Sequence, residues 1–365
     1  MSAPQRFRRA EPSDNSDLCD MFAATPMEGA VRLSQDRRPD YFHGTAVQCE
    51  QPEVYVPKQK DETGLAGVFG TGLRRVFVNG QPRPVRYLSD LRIAPGHRGG
   101  SLLARGFRFL RREVFKNDEF AQSLVVTENK NALNLLTSGR CGLPGYFQFG
   151  DYVLSLISLR RPPRAGSGPK VRRAAPDDVP AMQAFFDREA PGKQFFPVYQ
   201  FAEWGRNDYY RDAALENIFL AHSGNELVGL LGAWDQGGYK KTVVRGYGGA
   251  LRWLRPWLNA VSRLRGGIEL PAPGAVESTL YLHCALCRDN DPGIMAALLR
   301  GVQQGFAGQD YRHATLGLDQ RDPLREALAG FRTMDFAGCH FLVSFGADPR
   351  PTIEDKIFYF EAARI

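Results

Sequence analysis

The chain has no apolar run approaching the roughly 20 residues a helix needs to cross a bilayer. Its start, MSAPQRFRRAEPSDNSD, has no apolar stretch of the kind that forms a signal-peptide core, so a cytoplasmic protein is expected. Cysteine is scarce. Six residues (Cys19, Cys49, Cys141, Cys284, Cys287 and Cys339) are scattered over 365 positions, which excludes a disulfide-stapled scaffold and predicts free thiols. Cys284 and Cys287 form a CxxC beside His283, but a closed metal site needs a second close ligand pair. The remaining neighbours, Cys339 and His340, fall in a strand-like stretch, and no metal is expected. There is no basic stripe interleaved with aromatics and no nucleic-acid-binding motif, so nucleic acid is not an expected partner. No nucleophile in a Ser/His/Asp or Cys/His context stands out, which argues against a covalent enzyme intermediate.

What is present is the composition of a folded protein, 43% hydrophobic and 24% charged, at a length that accommodates about two domains. Charge is divided unevenly: residues 1–165 hold 24 basic and 17 acidic side chains and so carry the whole net excess of +7. Such a bias suits a polyanionic ligand, an acidic carrier protein or diffuse surface charge.

Residues 160–170, RRPPRAGSGPK, have no apolar periodicity and read as a linker near the middle of the chain. The segments on either side begin alike. VRRAAPDDVPAMQAFFDREA follows the linker, and FRRAEPSDNSDLCDMFAA opens the chain. Each half then runs through hairpin strands, a strand, a helix, a strand, a shorter helix and closing strands, the last of which are FLVSF and IFYFEA. Mixed strands with helices on both faces give an α/β (α+β layered) architecture. The expected boundaries are 1–162, a linker at 163–170, and 171–365.

The stretch DLRIAPGHRGGSLLARGFRFLRR, residues 90–112, reads as a strand, a basic glycine-rich turn and an amphipathic helix from about Gly100 to Lys116. Leu103, Phe107, Leu110 and Val114 lie near helical spacing on one face. The first amides of a helix have no acceptor in the preceding chain and carry the positive end of the helix dipole. Arg98 adds a full charge there, and Gly99 and Gly100 remove side chains that would hold a phosphate off the backbone.

Ile93, Pro95, Arg98, Gly99 and Gly100, with the strand before them and the helix after them, resemble the coenzyme A pyrophosphate motif of the GNAT acyltransferases. Asn129-Lys130-Asn131-Ala132, one strand downstream, resembles a second marker of that family. The resemblance implies two GNAT-like domains, each a mixed, mostly antiparallel sheet flanked by helices. It also implies acetyl-CoA or another acyl-CoA as co-substrate, and an amine, as in a small molecule, as acceptor. Backbone atoms of Leu91, Arg92 and Ile93 would hold the pantetheine arm; Arg98, Gly99, Gly100, Ser101, Leu102 and Asn129 complete the coenzyme contacts. Ser101 and Leu103 stand where the motif carries small residues and crowd the turn. Leu136 stands where many relatives place a general-acid tyrosine, and Tyr146 is the nearest phenol in sequence to replace it.

Strand alternation puts Leu88, Asp90 and Arg92 on one face, which makes Asp90 either a candidate base or a carboxylate paired with Arg86 or Arg92. Glu128 is a second candidate base. Arg32, Arg37, Arg38, Tyr41 and His43 form either an acceptor-binding loop or a solvated one. In the second half, Asp289 and Asp291 occupy the turn and would repel a pyrophosphate, so that half is expected to have lost the coenzyme. The Trp-, Leu- and Arg-rich segment 246–267 reads as an amphipathic helix that either touches a membrane or a partner or, more simply, packs over a cleft between the halves. A donor on an acyl carrier protein, or an acyl-CoA sensor without turnover, fits the same residues. Oligomeric state is not legible.

Overall fold

The computed structural model describes residues 7–27, 29–58, 64–116, 120–140, 142–160, 168–265 and 267–365. Cys141 and positions 163–167 of the expected linker lie outside the described residues. The first half forms β1 (Phe7–Arg9), α1 (Asn15–Ala24), β2 (Val31–Asp36), α2 (Tyr41–Gln48), β3 (Gln51–Pro57), β4 (Gly67–Val78), β5 (Gln81–Ile93), α3 (Leu102–Phe109), β6 (Ala121–Val126), α4 (Lys130–Leu136) and β7 (Gly145–Ser158). The second forms β8 (Lys170–Arg173), α5 (Val179–Glu189), β9 (Ile218–Ser223), β10 (Glu226–Asp235), β11 (Lys241–Tyr247), α6 (Leu251–Arg265), β12 (Thr279–Cys287), α7 (Pro292–Gly305), β13 (His313–Asp319) and β14 (Thr333–Ser344).

Local signals act as the sequence predicts. Asn79 and Gly80 both take positive φ, 52° and 77°, and turn β4 into β5. The repeated opening also has one structure in both halves. Arg8 pairs with Asp14 at 2.6 Å while the Glu11 amide donates to the Asp14 carboxylate, and Arg172 pairs with Asp178 at 2.5 Å while the Ala175 amide donates to Asp178. Each aspartate ties a short edge strand to the start of the helix that follows.

Among the described residues, twelve strands form one continuous sheet in the order β1-β3-β4-β5-β6-β14-β7-β13-β12-β10-β9-β8. Only β5/β6 and β12/β13 are parallel. The halves exchange strands at the centre: β14 of the second half lies between β6 and β7, and β7 lies between β14 and β13. One mixed, mostly antiparallel sheet flanked by helices therefore serves both halves. A separate two-stranded sheet joins β2 to β11 and crosses the halves again.

The stretch IFYFEA, expected to close the sheet, instead runs as a buried tail beside Gln194, which accepts from the Tyr359 amide and donates to the Ile357 carbonyl. Its polar groups explain the placement. Glu361 and Arg364, both with fully buried side chains, pair at 2.8 Å, and Arg364 also donates to the carbonyls of Val47 and Tyr209. The Tyr199 hydroxyl donates to Glu361 at 2.6 Å and meets Nδ1 of His283 at 3.1 Å. A Cβ at position 232 would overlap the His283 ring, so glycine is required there.

Breaking a buried, fully bonded ion pair from one side leaves the other charge without compensation. Glu361→Ala is expected to destabilise the fold by about 3–5 kcal/mol, read from chemical denaturation. An effect below about 1 kcal/mol would remove the pair from the determinants of stability.

Burial lowers the pKa of His283 to about 4, against the opposing pull of Glu361, and lowers that of His340 to about 3, with the Arg74 charge adding to the effect. Both histidines are neutral when folded and bind a proton only after unfolding. Stability is thus complete above the unfolded value near ~6.5 and is lost as pH falls towards the folded values. Between about pH 6.5 and 5, above the ordinary carboxylate range, each histidine is expected to contribute a slope approaching 1.4 kcal/mol per pH unit. Denaturation curves that do not change across that window would contradict the assignment.

Candidate functional site

β5 and β6 are paired at only two positions, Arg86 with Ala121 and Tyr87 with Gln122. Beyond Tyr87, β5 stays with β4 while β6 stays with β14, so the two strands separate. A bulge in β5 accompanies the separation: Val68 faces Arg92 and Gly70 faces Ser89, leaving Asp90 and Leu91 opposite Phe69 alone. Asp90 adopts φ 55°, a left-handed conformation that costs an ordinary residue about 1–3 kcal/mol. Its carboxylate is held on both oxygens, by the Tyr41 hydroxyl at 2.9 Å and by Arg37 at 3.4 Å. The bulge also cancels the alternation read from sequence, and every residue from Leu88 to Ile93 borders the space that opens.

That space is a cavity of about 470 Å³. Leu102, Leu103, Gly106, Phe107 and Leu110 of α3 form one wall, β7 and β14 supply Leu154, Leu156, Met334 and Phe336, and β11 and β12 supply Val244, Tyr247 and Tyr281 from the second half. The lining is predominantly apolar, at the scale of small-molecule sites. From the segment expected to bind an acceptor, Val31, Leu33 and Gln35 reach the cavity. Arg38 instead pairs with Asp20 and Asp36, and His43 lies 3.5 Å from Asp40.

One cationic group in the wall was not legible in sequence. Lys240 sits in the loop between β10 and β11, buried, with Nζ donating to the main-chain oxygen of Ile365 at 2.6 Å and lying 4.5 Å from the centre of the Tyr281 ring. Burial and then the Arg37 charge lower its pKa to about 7, against the attraction of Asp90. The GGYKK stretch around it has no pattern to mark it, because the strands that bury it are distant in sequence.

The basic turn adjoins the same wall. The exposed Arg98 donates through Nε to the Ile93 carbonyl at 3.3 Å, Gly99 takes φ 76°, and Cβ atoms at Gly96 or Gly99 would meet nothing within 4 Å. Ser101, at the N-cap of α3, makes no side-chain capping bond. Leu103 packs into the first-half core and lines the cavity, so the crowding expected from it does not arise at the turn. Arg92 donates to the Leu91 carbonyl at 3.0 Å and lies over the Phe22 ring.

The remaining sequence candidates gather around β6. Asn129 caps α4 by accepting from the Ala132 amide at 3.2 Å, and Glu128 is an exposed residue at the cavity edge. Leu136 is buried in the cavity wall. Tyr146 lines the cavity too; burial raises its pKa, partly offset by a hydrogen bond with Ser123, so its phenol keeps its proton.

The second half repeats this geometry and closes it. β12 and β13 are paired only at Thr279–Tyr281, and β12 carries its own bulge, with Cys284 at φ 50°. There the Cys284 amide donates to Glu361 at 2.9 Å and the Ala285 amide to the Tyr359 hydroxyl at 3.2 Å. The following helix is capped as well, since Asp291 accepts from the Gly293 amide at 2.6 Å. The chain's own tail and a carboxylate occupy the positions that β5 and α3 leave open.

No protein-family model matches the chain, and no curated protein sequence does. Solved structures match over nearly its whole length. Saccharomyces cerevisiae N-myristoyltransferase with bound myristoyl-CoA gives a TM-score of 0.59 at 10% identity, covering 96% of this chain and 85% of that one. A GCN5-related N-acetyltransferase from Sphaerobacter thermophilus gives 0.54 at 15% identity, covering 95% of this chain and 98% of that one. With the separated parallel strands, the bulge and the glycine-rich turn within a shared sheet, the chain has the GNAT fold in a duplicated form.

Proposed function

We propose that the protein is an N-acyltransferase that moves an acyl group from acyl-CoA to the amine of a small-molecule acceptor by direct attack. The observation that carries this reading is the asymmetry between two equivalent sites, one blocked by the protein's own tail and the other opening on a cavity. In the open site, Arg98, Gly99, Gly100 and the first amides of α3, with Ser101 and Leu102, would receive the pyrophosphate. Backbone groups of Leu91, Arg92 and Ile93, released from pairing with β6, would receive the pantetheine arm and stabilise the thioester oxyanion. Asn129 lies across the gap on the β6 side. The extent of the apolar lining supports a chain longer than acetyl, in keeping with the myristoyl-CoA of the yeast structure.

In the reaction, the acceptor nitrogen forms a bond to the thioester carbon and the carbon–sulfur bond breaks. Lys240, whose pKa burial lowers to about 7, takes the proton that the ammonium must lose. The Asp90–Arg37–Tyr41 cluster sets the field around that amine. Tyr146 is a neutral phenol on the cavity wall and gives its proton to the leaving thiolate. Glu128, at the edge, draws the cationic acceptor in.

Calorimetric titration with CoA, acetyl-CoA and tetradecanoyl-CoA is expected to give one site per chain. At about 0.8 kcal/mol per buried methylene, the long-chain donor should bind at least about a hundredfold more tightly than acetyl-CoA. Arg98→Glu is expected to abolish binding with an unchanged melting temperature, and undiminished affinity would overturn the pyrophosphate assignment. Tight donor binding without turnover on any amine would replace the enzyme reading with a sensor.

The kinetics give a separate check. The wild-type kcat/KM should rise through an apparent pKa of about 7, and Lys240→Met should lose about 10²–10⁴-fold and that pH limb while keeping its donor affinity. Retention of the limb in the variant would exclude Lys240 as the base.

A further inference from the structure

The helix α6 carries its largest apolar side chains on its outer face. Its sequence, LRWLRPWLNAVSRLR, contains no acidic residue, and Trp253, Trp257 and Leu264 recur at spacings of four and seven that place them on one face. That face points outward, with Trp253 74%, Trp257 65% and Leu264 84% exposed, and the neighbouring Leu254 is half exposed. The opposite side meets the protein through the half-buried Leu251, Leu258 and Val261 and through polar groups. Asn259, 8% exposed, exchanges two hydrogen bonds of 2.8 Å with the backbone of Leu270, and Arg255 donates to the same carbonyl. The helix expected to pack over a cleft therefore turns its apolar stripe away from the protein. Surface helices of soluble proteins do the reverse, and contiguous exposed aromatic and aliphatic side chains mark an interaction surface.

The charge pattern selects the partner. Arg252 lies beside the stripe with its guanidinium 4.8 Å from the centre of the Trp253 ring, Arg255 flanks the inner side, and Arg263 shares Glu269 with Arg160. Two copies of α6 packed on each other would bring these cations together without a helix carboxylate to pair with them. An anionic bilayer satisfies both features, since indole and leucine enter the boundary between headgroups and acyl chains while arginines remain at the phosphates. We propose that α6 docks the protein on the surface of an anionic lipid bilayer, lying flat with Trp253 and Trp257 inserted.

The consequence reaches the cavity. Leu270, to which α6 is pinned, belongs to the segment Ile268, Glu269, Leu270 and Pro271 that lines it. A docked helix would hold this wall at the membrane surface, where an apolar donor or product partitions. The docking itself does not depend on the enzymatic reading, and its test does not use activity.

The full chain is incubated with vesicles of phosphatidylcholine and with vesicles of phosphatidylcholine and phosphatidylglycerol in equal parts, then sedimented. Binding is expected with the anionic vesicles, weaker without phosphatidylglycerol and weaker at high salt. The double variant Trp253→Ser, Trp257→Ser should lose at least about tenfold in vesicle affinity with an unchanged melting temperature, because both side chains are exposed. Brominated lipids should quench the wild-type tryptophan emission far more than that of the variant, whose remaining Trp234 is buried and Trp204 is partly buried against the core. Absence of binding to either vesicle, or equal binding by the variant, would overturn the proposal. So would a concentration-dependent dimer that the double variant dissolves, which would assign the face to a second copy of the chain.

Discussion

Two parallel strands that pair for two positions and then part are the constraint on which the rest of this structure depends. A strand edge released from its neighbour has amides and carbonyls without partners, and a folded protein must return them to water, to its own groups or to a ligand. The β5 bulge turns that edge into a wall of the cavity. The cost falls on Asp90, whose left-handed backbone is held by Tyr41 and Arg37 from the α2 region. Those two residues support the geometry of β5 rather than forming a solvated loop.

The same backbone event occurs in β12 with the opposite outcome. Glu361 and Tyr359 receive the freed amides of Cys284 and Ala285, and the tail that carries them is locked by Arg364 and Tyr199. One bulge is thus a structural joint and the other borders a cavity. The difference lies in which groups reach the amides, since the strand geometry is common to both. The tail that closes the second site also packs Ala362 and Ile365 against the cavity of the first, so one peptide segment serves both halves.

The strand exchange between β7 and β14 explains why the cavity draws on residues from both halves. With β14 seated beside β6, the two-stranded sheet of β2 and β11 and the segment around Leu270 border the same cavity as β5. Lys240 borders the same cavity as the bulge only because of this arrangement. Its lowered pKa is a product of the tertiary structure: a lysine brought out of water near the charge of Arg37.

The sequence by itself determined the local elements and their order: the Asn79-Gly80 turn, the repeated Arg–Asp clasp of Arg8 and Asp14 and of Arg172 and Asp178, the glycine-rich turn before α3, and the carboxylate at Asp291 that closes its counterpart. Each rests on residues a few positions apart, whose backbone preferences and hydrogen bonds act before the chain has a shape. Tertiary structure decided the rest. IFYFEA has the pattern of a strand, but its glutamate finds the buried Cys284 amide and a buried arginine, so it becomes a plug. The amphipathic stripe of α6 was legible, while the direction it faces was set by Asn259 finding Leu270. Lys240 carries no local signal, and Asp90 carries the wrong one, since a bulge is invisible to alternation. These contacts depend on which groups the packed strands bring together, some of them, such as Lys240 and Ile365, more than a hundred residues apart, and only the packed chain settles that.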